Sequence, residues 1–121
     1  MVHYRNREGA EDRDMKQINE DIRKQNFRQI YLLCGEERYL RRQYRDKLKK
    51  AICGEDDSMN THFFEGKNPP LEEIIELAET MPFFAQRRVL LVTDSGLFKS
   101  GGEKLAAYLA SPNSTSFFVF T

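Results

Sequence analysis

The sequence predicts an α/β domain: a parallel sheet in three layers with helices on both faces. Three observations carry that expectation. Four short apolar runs, at Ile30-Tyr31-Leu32-Leu33-Cys34, Thr61-His62-Phe63-Phe64, Val89-Leu90-Leu91-Val92 and Phe117-Phe118-Val119-Phe120, have the length and residue types of strands. Segments of helical periodicity separate them, which is the pattern of right-handed βαβ units. The size of 121 residues, with 40% hydrophobic and 31% charged, suits one compact domain rather than two.

The elements follow in order. Residues 1 to 14, which include Arg5-Asn6-Arg7-Glu8-Gly9, show no apolar periodicity and are expected as a flexible leader before a folded domain over 15–121. Met15, Ile18 and Ile22 share one helical face, so a short amphipathic helix is expected from about Asp12 to Gln25. The first strand is placed at 29–34, and its unbroken apolar run suits burial on both faces. A helix follows Gly35, with Leu40, Tyr44, Leu48 and Ile52 repeating every four residues. Glu36 and Glu37 at its start and Lys49 and Lys50 at its end complement the helix dipole. The second strand is placed at 60–64, and the loop from Gly66 to Pro70 ends on a proline suited to a helix start. Leu71, Ile74, Ile75, Ala78 and Met81 then form one helical face, opposite a solvated side carrying Glu72, Glu73, Glu76 and Glu79. The third strand is placed at 88–93. A last helix from about Gly102 to Ala110 turns Leu105, Ala106 and Leu109 inward and stops before Pro112, and the fourth strand is placed at 116–121.

Several function classes are disfavoured by composition. Basic and acidic residues balance at 19 each, so no whole-domain attraction to nucleic acid is indicated. The basic run from Arg38 to Lys50 reads first as a solvated helix face and only second as a surface for DNA. Cys34, Cys53, His3 and His62 lie at no ligand or triad spacing, so neither a metal site nor a catalytic site is expected. No apolar run has membrane-spanning length and no secretory signal opens the chain, which makes the cytoplasm the expected compartment and a membrane no expected partner.

Open α/β sheets bind ligands at the carboxyl ends of their strands, which directs attention to Gly35-Glu36-Glu37-Arg38-Tyr39-Leu40-Arg41-Arg42. A phosphate-binding loop needs a second glycine, a lysine and a hydroxyl there, and all three are missing. Glu36 and Glu37 would also repel the anion, so no nucleotide and no cofactor is expected to bind at Gly35, Glu36 and Glu37. An alternative reading uses the carboxylates. A phosphoacceptor receiver domain has acidic residues after its first strand and an aspartate ending its third, places held here by Glu36, Glu37 and Asp94, which could share a magnesium ion.

The remaining feature is Thr80-Met81-Pro82-Phe83-Phe84-Ala85-Gln86-Arg87-Arg88. Pro82 disfavours helix at Met81, so the preceding helix is expected to stop near Thr80 and leave three large apolar side chains on a connection. Two outcomes are open on the residues alone: the rings fold back into the core, or they project as a patch for a partner.

Taken together, Tyr31-Leu32-Leu33-Cys34-Gly35-Glu36-Glu37-Arg38-Tyr39-Leu40, the Thr80 to Val92 stretch, and Leu105-Ala106-Ala107-Tyr108-Leu109 with Ser111-Pro112 closely resemble the delta subunits of bacterial DNA polymerase III. The resemblance runs from about residue 15 to the end. It implies a degenerate AAA+ domain that does not bind ATP, here without the fifth strand that the family places beside the first. It also implies a clamp-loader subunit of a DNA polymerase holoenzyme, with no catalytic site of its own, that opens the sliding clamp (beta subunit) with an apolar wedge. The wedge maps onto Met81, Phe83 and Phe84, with Phe83-Phe84 standing where the family often has Leu-Phe. Other clamp-loader subunits, and DNA met through the assembled complex, are the further partners it implies.

Overall fold

In the computed structural model, which describes residues 2–4, 10–33, 38–54, 59–94 and 103–121, the apolar runs become strands that all pair in parallel. Along the chain the elements are β1 (Val2–Tyr4), α1 (Ala10–Lys24), β2 (Ile30–Leu33), α2 (Arg38–Cys53), β3 (Thr61–Glu65), α3 (Leu71–Glu79), β4 (Arg88–Thr93), α4 (Glu103–Leu109) and β5 (Ser116–Phe120). The sheet order is β1-β2-β5-β4-β3, with β1 and β3 at the edges.

Alternation along the strands builds two cores. Tyr31, Leu33, Val89, Leu91, Phe117 and Val119 face one way and meet Ile18 of α1 and Tyr44, Leu48 and Ile52 of α2. Leu90, Val92, Phe118 and Phe120 face the other way and meet Ile74 and Ala78 of α3 and Leu105 of α4. Central strands β4 and β5 are buried at every residue, because each of their faces is covered by helices. Each such fully buried aliphatic or aromatic side chain contributes roughly 1.5–3 kcal/mol of transfer free energy.

Local chemistry sets the helix ends. At α1 the left-handed Gln25 (φ 55°) stops the helix, and its backbone N–H donates to the Ile22 carbonyl at 3.2 Å. Gly54, at φ 91°, closes α2 in the same way by donating to Lys50 O at 2.8 Å. Pro70 precedes α3 and its carbonyl accepts from Ile74 N at 3.0 Å.

Four expectations are corrected. The N-terminal segment is more than a leader: Val2–Tyr4 pairs with Tyr31–Leu33 as an edge strand and α1 already opens at Ala10. The β-favouring Val-His-Tyr sequence covers the outer edge of β2, which would otherwise present unpaired N–H and C=O groups. The sheet therefore has a strand beside the first apolar run, where a missing one was expected. Met81 does not extend the buried face of α3, because that helix ends at Glu79 and Thr80 is extended. Ala106 is exposed while Tyr108 is partly buried, its ring 6.2 Å from that of Phe118. On a helix anchored by Leu105, position i+3 shares the inward face and position i+1 does not.

The receiver alternative also fails, on topology. A receiver sheet places its first strand between the second and third, whereas the first apolar run, β2, here lies between β1 and β5. Asp94, at the end of β4, is two strands away from β2, or roughly 10 Å at ordinary strand spacing. Gly35, Glu36 and Glu37 lie outside the described residues, as does Cys34; the described α2 opens at Arg38, after the acidic pair.

Candidate protein-docking site

The connection between α3 and β4 lies at the amino ends of the strands, opposite the sheet end where α/β proteins hold nucleotides. Its formation is local. Thr80 turns the chain out of α3, donating from its N–H to Leu77 O at 3.1 Å and from its hydroxyl to Glu76 O at 2.7 Å. Pro82 follows and prevents any return to helix. Met81 is then 80% exposed, Phe83 53% and Phe84 95%. Phe83 and Phe84 touch edge to face, with ring centroids 4.5 Å apart.

Phe84 has φ of 50°. The other non-glycine residues in that region among the described residues, Gln25, Asn68 and Asp94, are polar, and the last two are types that tolerate it well. A bulky aromatic there carries backbone strain of order 1–2 kcal/mol. Local strain of this kind collects at binding sites when surrounding contacts enforce it.

Those contacts come from below. The buried Asn60 side chain brackets the Phe83 backbone: its Oδ1 accepts from Phe83 N at 2.6 Å and its Nδ2 donates to Phe83 O at 2.9 Å. The buried Arg88 donates from Nη2 to Met81 O at 2.9 Å and from Nη1 to His62 Nε2. Arginine has no acceptor, so that contact requires an unprotonated Nε2 on His62. Burial, with the Arg88 charge second, holds the His62 imidazole below its ordinary pKa and keeps it neutral. Arg87 turns the other way, giving Ile52 O at the end of α2 a hydrogen bond at 3.3 Å and lying 4.9 Å from the Phe27 ring centroid.

Sequence reasoning singled out Met81, Phe83 and Phe84, and the structure brings all three together on one exposed loop. It missed Asn60 and Arg88 and gave His62 no part in a metal or catalytic site. A signal was available: an arginine heading the run Arg88-Val89-Leu90-Leu91-Val92 enters a buried strand and must find acceptors there.

The basic helix offers less. The α2 face carries exposed Arg42, Lys47 and Lys50, but Lys47 is engaged with Asn19 at 3.1 Å, and Lys49 lies 5.6 Å from the Phe63 ring centroid. Among the described residues, no group of three or more His, Cys, Asp or Glu side chains is placed to hold a metal ion, and no helix is long and apolar enough to cross a membrane.

Comparison with known proteins bears on the loop's role. The family described as DNA polymerase III, delta subunit, matches residues 31–121, three quarters of the chain. The DNA polymerase III subunit delta of Bacillus subtilis is 27% identical over 109 residues, covering 81% of this chain and 31% of that protein. Among solved structures, the Bacillus subtilis DNA clamp loader delta protein superposes with a TM-score of 0.76 at 24% identity, covering 87% of this chain and 34% of the other; that likeness concerns the fold. The chain thus spans about a third of the length of the relatives it matches.

Proposed function

The chain belongs to the DNA polymerase III delta-subunit family, and from that membership we propose that it binds and opens the ring-shaped sliding clamp through Met81, Phe83 and Phe84. The observation that carries this reading is the exposed apolar loop. Three large side chains stand out of a connection that hydrogen bonds fix from beneath. An aromatic anchor presented in this way suits a hydrophobic pocket on a partner, where a few large side chains supply most of the binding free energy.

Opening needs no bond to be made or broken. A wedge that binds the clamp better with one ring interface parted shifts the ring's equilibrium toward the open form by the ratio of the two affinities. The chain acts as an AAA+-like domain that takes no part in ATP hydrolysis, since Gly35-Glu36-Glu37 lacks the phosphate-cradling residues. Hydrolysis belongs to other clamp-loader subunits. In this reading the protein works in the cytoplasm as a subunit of the polymerase holoenzyme without a catalytic site of its own, and it meets DNA through the assembled complex.

The test is a biosensor titration of the chain against an immobilised bacterial sliding clamp. Saturable binding is expected, with Met81→Ala weakening it by about 1–2 kcal/mol. A clamp that gives no saturable response contradicts the proposal.

A further inference from the structure

Beneath the exposed loop lies a polar cluster that apolar docking does not itself require. Asn60 immediately precedes β3, His62 lies within β3, and Arg88 opens β4, so two adjacent parallel strands carry the whole cluster. Asn60 and Arg88 are each at least nine-tenths buried, and their side chains grip the loop backbone at Phe83 and Met81. Arg88 Nε is buried without a hydrogen-bond partner, and among the described residues no carboxylate lies within ion-pair distance of Arg88. A buried guanidinium held mainly by a carbonyl and a histidine nitrogen depends strongly on both.

Given the docking reading above, on which this inference rests, we propose that Asn60, Arg88 and His62 are positioning residues for the apolar tip, and that the hold on the loop requires neutral His62. Asn60 fixes the backbone of Phe83 at both its donor and its acceptor. Arg88 fixes the carbonyl of Met81, and His62 fixes Arg88. The loop therefore meets its partner already ordered, including the left-handed Phe84 that an unsupported loop would abandon. Protonating His62 replaces the acceptor Nε2 with an N–H facing the Arg88 N–H, which turns an attraction into a like-charge contact. Arg88 from β4 is the charged group acting on His62. On α3, which packs against β4, Glu72, Glu73, Glu76 and Glu79 are all solvent-exposed.

The experiment compares wild type, Asn60→Ala and His62→Gln, the glutamine supplying a neutral acceptor that does not titrate. Amide hydrogen exchange on the free chain reads the hold directly at Phe83 N–H. That amide is expected to be protected in wild type and His62→Gln and to lose its protection in Asn60→Ala. Binding to a bacterial sliding clamp is then measured between pH 8 and 5.5. Asn60→Ala is expected to bind about tenfold more weakly, the factor set by ordering roughly one residue's backbone on docking. Wild-type affinity is expected to fall as the pH drops through the His62 value of the folded chain, which lies below the ordinary histidine value of about 6.5, while His62→Gln keeps its affinity. An Asn60→Ala chain with a protected Phe83 amide overturns the proposal, as does a His62→Gln chain with the wild-type pH slope. If Asn60→Ala does not fold, the His62→Gln comparison decides alone. Absent clamp binding in wild type contradicts the docking reading instead, and the exchange data still decide the positioning network.

Discussion

Two pairs of adjacent phenylalanines meet opposite fates in this chain. Phe117 and Phe118, on central strand β5, are 8% and 0% exposed, whereas Phe83 and Phe84 are 53% and 95% exposed. The side chains are the same, so hydrophobicity does not decide. On β5 the pleat sends consecutive rings to opposite faces, and helices cover both: Phe117 joins the α1 and α2 core, Phe118 the α3 and α4 core. At the α3–β4 connection the backbone has left both regular structures, and bonds from Asn60 and Arg88 hold it there. An apolar pair becomes core where the topology supplies two covered faces, and becomes a projecting surface where it supplies none.

The comparison breaks most visibly in the core. Phe118→Ala should lower stability by about 3–5 kcal/mol, read as a lower denaturation midpoint, because it leaves a cavity lined by Phe120, Tyr108 and the inner side chains of α3 and α4. A shift below about 1 kcal/mol would mean that β5 is less tightly packed than its burial indicates.

Phe84→Gly sharpens the other side. Glycine adopts a positive φ freely, so relief of strain should offset the loss of an aromatic ring that packs little, leaving stability unchanged or raised by up to about 1 kcal/mol, read as an unchanged or higher melting midpoint. A clear drop would show that the Phe84 ring is stabilising the fold.

The smallest effect concerns pH. The folded state holds His62 below its ordinary pKa, so between that lowered value and about 6.5 the unfolded chain binds more protons. Stability should therefore rise with pH through this window and decline as pH falls through it. His62→Gln should flatten this part of the stability profile in denaturant titrations at pH 5.5 and 7.5; an unchanged slope would place the titrating group elsewhere.

Much of the fold was legible because burial leaves a period in the sequence. Val89-Leu90-Leu91-Val92 and Phe117-Phe118-Val119-Phe120 could hardly be anything but strands buried on both faces, and Leu40, Tyr44, Leu48 and Ile52 mark one side of α2. Strand order left no such trace. An apolar run does not say which neighbour it pairs with, and β2 lying against β5 rather than β3 is what separates this sheet from a receiver's. Three residues are too few for β1 to show a pattern, and Met81 keeps the helical period although it lies two residues beyond the end of α3. At the loop, Met81, Phe83 and Phe84 could be named from residues and family resemblance. Of the polar side chains beneath, Arg88 left a trace as a charge heading a buried strand, but Asn60 left none, because its role depends on bonds to the Phe83 backbone, more than 20 residues away.

The most direct test of the central claim is the double substitution Phe83→Ala, Phe84→Ala, followed both by thermal melting and by titration against a bacterial sliding clamp. A docking tip predicts a melting midpoint close to wild type together with a loss of about 2 kcal/mol or more in clamp binding. A midpoint that collapses as it would for a core phenylalanine, or clamp affinity that survives the loss of both rings, would contradict it.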